Sequence, residues 1–206
     1  RAIEENRTYA AAYVLLGEAS LWLSDYENAK RGFENARTFG YVGSELDLLQ
    51  ARLAVLEGDL TAAEQRYDEI LRSEPYNEQA RVGKAVLSLR VGPTDSNRRE
   101  LVRLAGRYPQ NRQLLAALVR LSDDRGETDA LERYLDLALR YHSDNASIQL
   151  IAATTALERG DARKAAYHAG NAVTIAPKLT DAWLVLAEAA RRQNEIGEAR
   201  THYESL

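Results

Sequence analysis

Cysteine is absent from this chain of 206 residues. That excludes disulfides, thiolate nucleophiles and cysteine-ligated metal, and it fits the cytoplasm and the periplasm alike. Long apolar runs are absent as well; nothing approaches the roughly 18 residues that a membrane-spanning helix needs. Neither sign of charge dominates, with 31 acidic against 27 basic residues and a net charge of -4. A field that weak draws neither nucleic acid nor an anionic bilayer. No nucleic-acid partner and no direct membrane insertion are therefore expected of this segment. Residue 1 is arginine and no apolar signal segment follows it, so any targeting peptide is expected to lie outside these residues. At 45% hydrophobic and 28% charged residues, the composition is that of a chain able to build a core rather than a disordered one.

What is present is a period. Gly58, Gly92, Gly126 and Gly160 stand 34 positions apart, and Pro75, Pro109 and Pro177 fall in step, 34 and then 68 apart. The phrase EGDLTAAEQRY at 57–67 returns as RGDARKAAYHA at 159–169. A period of this length is diagnostic of repeat architectures and governs every local reading. Placing Pro75 at position 32 gives units 10–43, 44–77, 78–111, 112–145, 146–179 and 180–206, without a single insertion.

Small residues recur where two backbones would approach closely. Position 8 holds Gly17, Ala51, Ala85, Val119, Ala153 and Ala187; position 20 holds Ala29, Ala63, Asn97, Leu131, Ala165 and Ala199. Bulky residues recur at position 24, namely Phe33, Tyr67, Leu101, Leu135 and Tyr203, with Ala169 the exception. Apolar residues at three- and four-residue spacing mark positions 1–14 and 16–28 as two amphipathic helices. The glycine at position 15 ends the first through a left-handed conformation. Asp25, Asp59 and Asp161 open the second by accepting from its free amides, and the proline at position 32 stops it. Such a pair cannot bury its apolar face alone, so neighbours must stack.

This pattern resembles the tetratricopeptide repeat, W-x2-L-G…A-x3-F…P. Trp183, Leu186, Ala187, Ala199 and Tyr203 stand at its positions in the last unit, and Tyr13, Leu16, Gly17, Ala29, Phe33 and Ala36 in the first. The resemblance covers the whole chain. It implies an all-α, right-handed superhelical α-solenoid of stacked helix-turn-helix repeats, with the first helices lining a concave groove. One continuous array over 1–206 is expected, with residues 1–9 as the tail of an upstream repeat turning at Asn6. The chain ends inside a repeat on both sides, which points to a segment of a longer protein or to self-association through uncapped ends. The third and fourth units depart most: Gly92-Pro93-Thr94-Asp95 makes an irregular turn, and Asn97, Val119 and Leu131 replace small residues. Helix packing is expected to change near residues 92–131.

Chemistry-bearing constellations are few. Tyr141-His142-Ser143-Asp144 carries the names of a hydrolase triad, but four adjacent loop residues cannot converge on one reacting atom. His168 and His202 occupy position 23 of neighbouring units and read as solvated surface histidines, about a helix diameter apart and too far for one zinc ion. Arg98, Arg99, Arg103 and Arg107 read as an exposed face. No glycine-rich phosphate loop or paired-carboxylate site is present, so neither enzymatic activity nor a cofactor or metal is expected.

Function is therefore expected on the surface. The resemblance assigns positions 2, 5, 9, 12 and 13 to the groove, which makes Val14, Glu18, Trp22, Leu48, Arg52, Val82, Val86, Arg120 and Glu188 the candidate contacts for a protein or peptide ligand. Trp22 is the expected anchor, because exposed tryptophans concentrate binding energy. The lysine-and-asparagine clamp of chaperone-binding relatives is missing, since Val14, Glu18, Gln79 and Gly83 stand at its positions. The expected role is a non-catalytic scaffold. The alternative is a periplasmic segment of a bacterial exopolysaccharide-export or secretion-system assembly protein. Arginine heavily outnumbers lysine, only Lys30, Lys84, Lys164 and Lys178 being present, a usage that suggests a GC-rich bacterium.

Overall fold

The computed structural model describes residues 2–204, with side chains from Tyr9 onward, and every regular element among them is an α-helix. In chain order these are α1 (Ala2–Trp22), α2 (Tyr26–Thr38), α3 (Ser44–Glu57), α4 (Leu60–Ser73), α5 (Glu78–Val91) and α6 (Asp95–Arg107). There follow α7 (Arg112–Asp124), α8 (Thr128–Tyr141), α9 (Ala146–Glu158), α10 (Ala162–Ile175), α11 (Thr180–Arg192) and α12 (Ile196–Glu204). The chain forms two compact units, and Leu104 ends the first. Within each, helices pair antiparallel in sequence order, α1 with α2, α3 with α4, α7 with α8, α9 with α10 and α11 with α12. Each pair leans on the next through α2 and α3, α4 and α5, α8 and α9, and α10 and α11.

The caps explain the period. Helices α3, α5, α7, α9 and α11 begin at residues 44, 78, 112, 146 and 180, each 34 after the last. Asn77, Asn111 and Asn145, all at position 34, accept from the amides of Ala80, Leu114 and Ile148, satisfying donors that a helix start leaves open. Asp25, Asp59 and Asp161 do the same for α2, α4 and α10 through Asn28, Ala62 and Lys164. Pro75, Pro109 and Pro177 each sit two residues beyond the end of a second helix.

The turn between paired helices needs a left-handed residue at position 15. Gly58, Gly126 and Gly160 supply it with φ of 84, 65 and 81°. Ser24 and Asn194 adopt the same region at 59 and 64°, at a cost of roughly 1–2 kcal/mol for a residue with a Cβ.

Gly92 departs from the expectation: its φ is -175°, extended rather than left-handed. The cause is Pro93, whose ring excludes helical conformations from the residue before it. The turn lengthens, and α6 starts at Asp95, one residue late. Thr94 caps it by accepting from Asn97 N at 3.2 Å. Asn97, the polar residue at a small-residue position, donates its amide to the carbonyls of Ser88 and Gly92 at 3.1 and 2.8 Å. It thereby ties the end of α5 to α6, as a second donor to carbonyls that already accept from Gly92 N and Thr94 N. The other two outsized residues of this region, Val119 and Leu131, are buried.

A second correction concerns the start. No turn forms at Asn6; α1 runs unbroken from Ala2 to Trp22. Arg7 stands at position 32, where other units carry proline, and residues 2–9 hold neither proline nor glycine to stop a helix.

The core is a row of small clusters, not one centre. Phe33 is fully buried with Val14, Leu21, Ala29, Ala36, Leu46 and Leu53. Gly17 is required there, because a Cβ on it would stand 2.5 Å from the Phe33 ring. Tyr67 anchors the next cluster with Ala51, Ala63, Ile70, Ala80 and Leu87, its ring lying where a Cβ on Gly83 would meet it at 2.5 Å.

Candidate partner-binding surface

The candidate contacts separate into core and surface. Val14 is 4% exposed and Val82 0%, so both are corrected from groove contacts to core residues. Val14 packs in the cluster around Phe33. Leu48 is half-buried and packs against the cluster around Tyr67. Glu18 and Val86 are half-buried, whereas Arg120 is exposed.

Two candidates are brought together. Trp22, at the end of α1, is 67% exposed, and the guanidinium carbon of Arg52 on α3 lies 5.0 Å from its ring centroid. The packing of α1 beside α3 thus stacks position 9 of the second unit over position 13 of the first. A guanidinium over an indole face is favourable by about 0.5–1 kcal/mol at an exposed site, enough to hold the planar donor fork in place. Arg52 is itself exposed and makes no ion pair among the described residues, which leaves its donors open to solvent. Leu23 and Leu56 nearby in sequence are exposed as well.

The charged positions of the last unit behave otherwise. Glu188 accepts from Arg191 at 2.6 Å and from Arg192 at 2.8 Å, and these hydrogen bonds hold its carboxyl down at about 2. Arg192 also donates to the carbonyl of Leu157 at 2.6 Å. In the first compact unit, Arg90 reaches Val55 O at 3.4 Å. Both arginines stand at position 13 and both cap the last turn of the preceding first helix, 35 residues back. Helix ends leave carbonyls open, and a cation there also answers the helix dipole. This recurring role was concealed in the sequence, where position 13 reads as a groove residue; the constant offset between an arginine and a helix end was its only signal.

The histidines also need correction. His168 is 7% exposed, not a solvated surface residue. Its Nδ1 lies 2.8 Å from Gln149 Oε1, and Gln149 donates its own amide to Ser143 O at 2.7 Å. That donation fixes Oε1 as an acceptor and so places a proton on His168 Nδ1. Burial, with Lys164 nearby, pushes the imidazole below its usual range. His202 packs beside the Trp183 ring, centroids 5.9 Å apart. His142 reaches the carbonyl of Gln110 at 2.8 Å, a tie between inter-repeat turns and not part of a triad. Arg103 pairs with Glu100, and Arg107 lies over the Tyr108 ring. Among the described residues no three His, Asp or Glu side chains are grouped to hold a metal ion, and no helix is long and apolar enough to cross a membrane.

Paired helices at a 34-residue period, closed by small residues at positions 8 and 20, build the all-α helical-repeat fold seen in tetratricopeptide-repeat proteins. Solved structures agree. The chain superposes on Pseudomonas aeruginosa pilF with a TM-score of 0.75 at 16% identity, covering 98% of this chain and 90% of that one. It also resembles TTC0263, a thermophilic tetratricopeptide-repeat protein of Thermus thermophilus, with a TM-score of 0.68 at 20% identity over 88% of this chain and 99% of that one. Among curated proteins it is 27% identical over 139 residues to mouse tetratricopeptide repeat protein 21A, a match covering 68% of this chain but only 11% of that protein. No protein-family model matches the chain.

Proposed function

We propose that this chain is a non-catalytic scaffold that binds a partner protein or peptide along the surface of its first helices. The observation that supports this is the Trp22–Arg52 stack, a large exposed indole held beneath a guanidinium with open donors. Aromatic and arginine side chains supply most interface hot spots, and a monomer gains little from exposing them together. In the same compact unit, half-buried Leu48 and Val86 add apolar surface and Glu18 adds charge.

The test compares wild-type chain with Trp22→Ala and Arg52→Glu as bait. Both variants are expected to keep the wild-type Tm and to lose the specifically retained partner. Retention of the same partner by both would end this reading.

A second reading, a periplasmic segment of an envelope assembly or export machine, is supported by the likeness to pilF and to PilW, a type IV pilus biogenesis factor matched with a TM-score of 0.69 at 16% identity. Fractionation of cells expressing the full-length protein distinguishes the two, since recovery in the cytosol alone would remove the envelope reading.

A further inference from the structure

The joint where α8, α9 and α10 meet holds a cavity of about 400 Å³, within the size range of ligand pockets. Leu135, Leu139 and Ala152 give it an apolar floor, and Asp136 stands on its rim. Its character is clearest beside the equivalent joint two repeats earlier. Subtracting 68 carries Glu132, Leu135, Asp136 and Ala152 onto Glu64, Tyr67, Asp68 and Lys84. There, Lys84 Nζ on α5 reaches 2.5 Å from Asp68 and 4.0 Å from Glu64 on α4, closing the joint with an ammonium. In the later joint Ala152 stops at Cβ, so Asp136 has the carboxylate without the cation.

The other two carboxylates of the lining are already engaged. Glu132 pairs with Arg159, and Asp161 accepts from Lys164 N at the start of α10. Asp136 makes no ion pair among the described residues. Thr155 lines the same cavity at 7% exposure; its hydroxyl makes no hydrogen bond among them either, and since it is not one of the buried polar atoms without a partner it stays accessible from the recess. A solvent-exposed carboxylate and an accessible hydroxyl, neither with a protein partner, thus share one recess of mixed polar and apolar lining.

We propose that this cavity receives a lysine side chain presented by a partner protein. Its alkyl stem would lie on Leu135 and Leu139, and its ammonium would donate to Asp136 and to the Thr155 hydroxyl. The occupant is the one the chain itself uses at the sibling joint, where Lys84 fills the place. The exposed ammonium of Lys164 on the rim disfavours ligands carrying several positive charges. The site is separate from the Trp22–Arg52 surface and does not depend on it.

The test is an NMR titration of the 206-residue chain with N-acetyl-lysine methylamide, alongside the norleucine analogue, which keeps the stem and lacks the ammonium. Saturable shifts confined to α8–α10 are expected for the lysine compound alone. Asp136→Asn, a change at an exposed position, is expected to weaken binding about two- to fivefold, since an exposed ion pair is worth up to about 1 kcal/mol. Ala152→Lys is expected to block the site from within. Equal binding of the norleucine analogue, undiminished binding by Asp136→Asn, or no saturable shift would each overturn the proposal. Tighter binding of free hexylamine than of the blocked lysine would overturn the protein side chain as its source.

Discussion

A single buried imidazole, His168, makes the chain's stability respond to pH. In the unfolded chain it takes up a proton near its ordinary value of 6.5, whereas burial holds the folded-state value lower. Below 6.5 the unfolded state therefore binds more protons, and stability falls as pH drops through that window. Its contribution is intact above 6.5 and is lost toward the folded value. The carboxylates of Glu74, Glu100 and Glu188 shift in the same direction from 4.5, so their losses begin only below that pH. Melting curves between about pH 7 and pH 5 should show Tm falling for the wild type and a flatter profile for His168→Gln, which keeps an amide opposite Gln149. An unchanged slope in the variant would remove His168 as the cause.

At the scale of the element, one proline resets the third hairpin. Pro93 forces Gly92 into an extended conformation, α6 starts late, and Asn97 adds a second donor to the Ser88 and Gly92 carbonyls at the end of α5. Asn97→Ala removes the second donor from two carbonyls that keep their backbone partners, and is expected to destabilise the chain by about 1 kcal/mol. Urea unfolding measures it; a change under about 0.5 kcal/mol, the scale of an ordinary surface substitution, would show that water replaces the amide. The sequence showed that this turn was irregular, and it marked Asn97 as out of pattern. It did not show that the oversized residue ties α6 to α5, because that follows from the distance between its amide and the end of the preceding helix.

For the whole molecule, stacked pairs that touch only their sequence neighbours predict stability that adds from repeat to repeat. Gly17→Ala tests this, since the new Cβ would stand 2.5 Å from the Phe33 ring and overpacking of this kind costs about 1–3 kcal/mol. Hydrogen exchange is expected to accelerate in α1–α4 and to stay near wild type in α9–α12. Uniform acceleration along the chain would instead show one cooperative body.

The sequence by itself determined the period, the helix pairs, the capping aspartates, and the small residues at positions 8 and 20. These are local or strictly repeated features, and each unit restates them. Tertiary structure alone decided which position-5 and position-13 side chains are surface. Val14 and Val82 turned inward, Arg90 and Arg192 capped neighbouring helices, and His168 was buried against Gln149. Those outcomes depend on distances between side chains far apart in the chain, and a shared repeat position does not specify them. The same physical reason placed Trp22 under Arg52 and left Asp136 without the lysine that its sibling holds: both depend on what the adjacent repeat brings within reach.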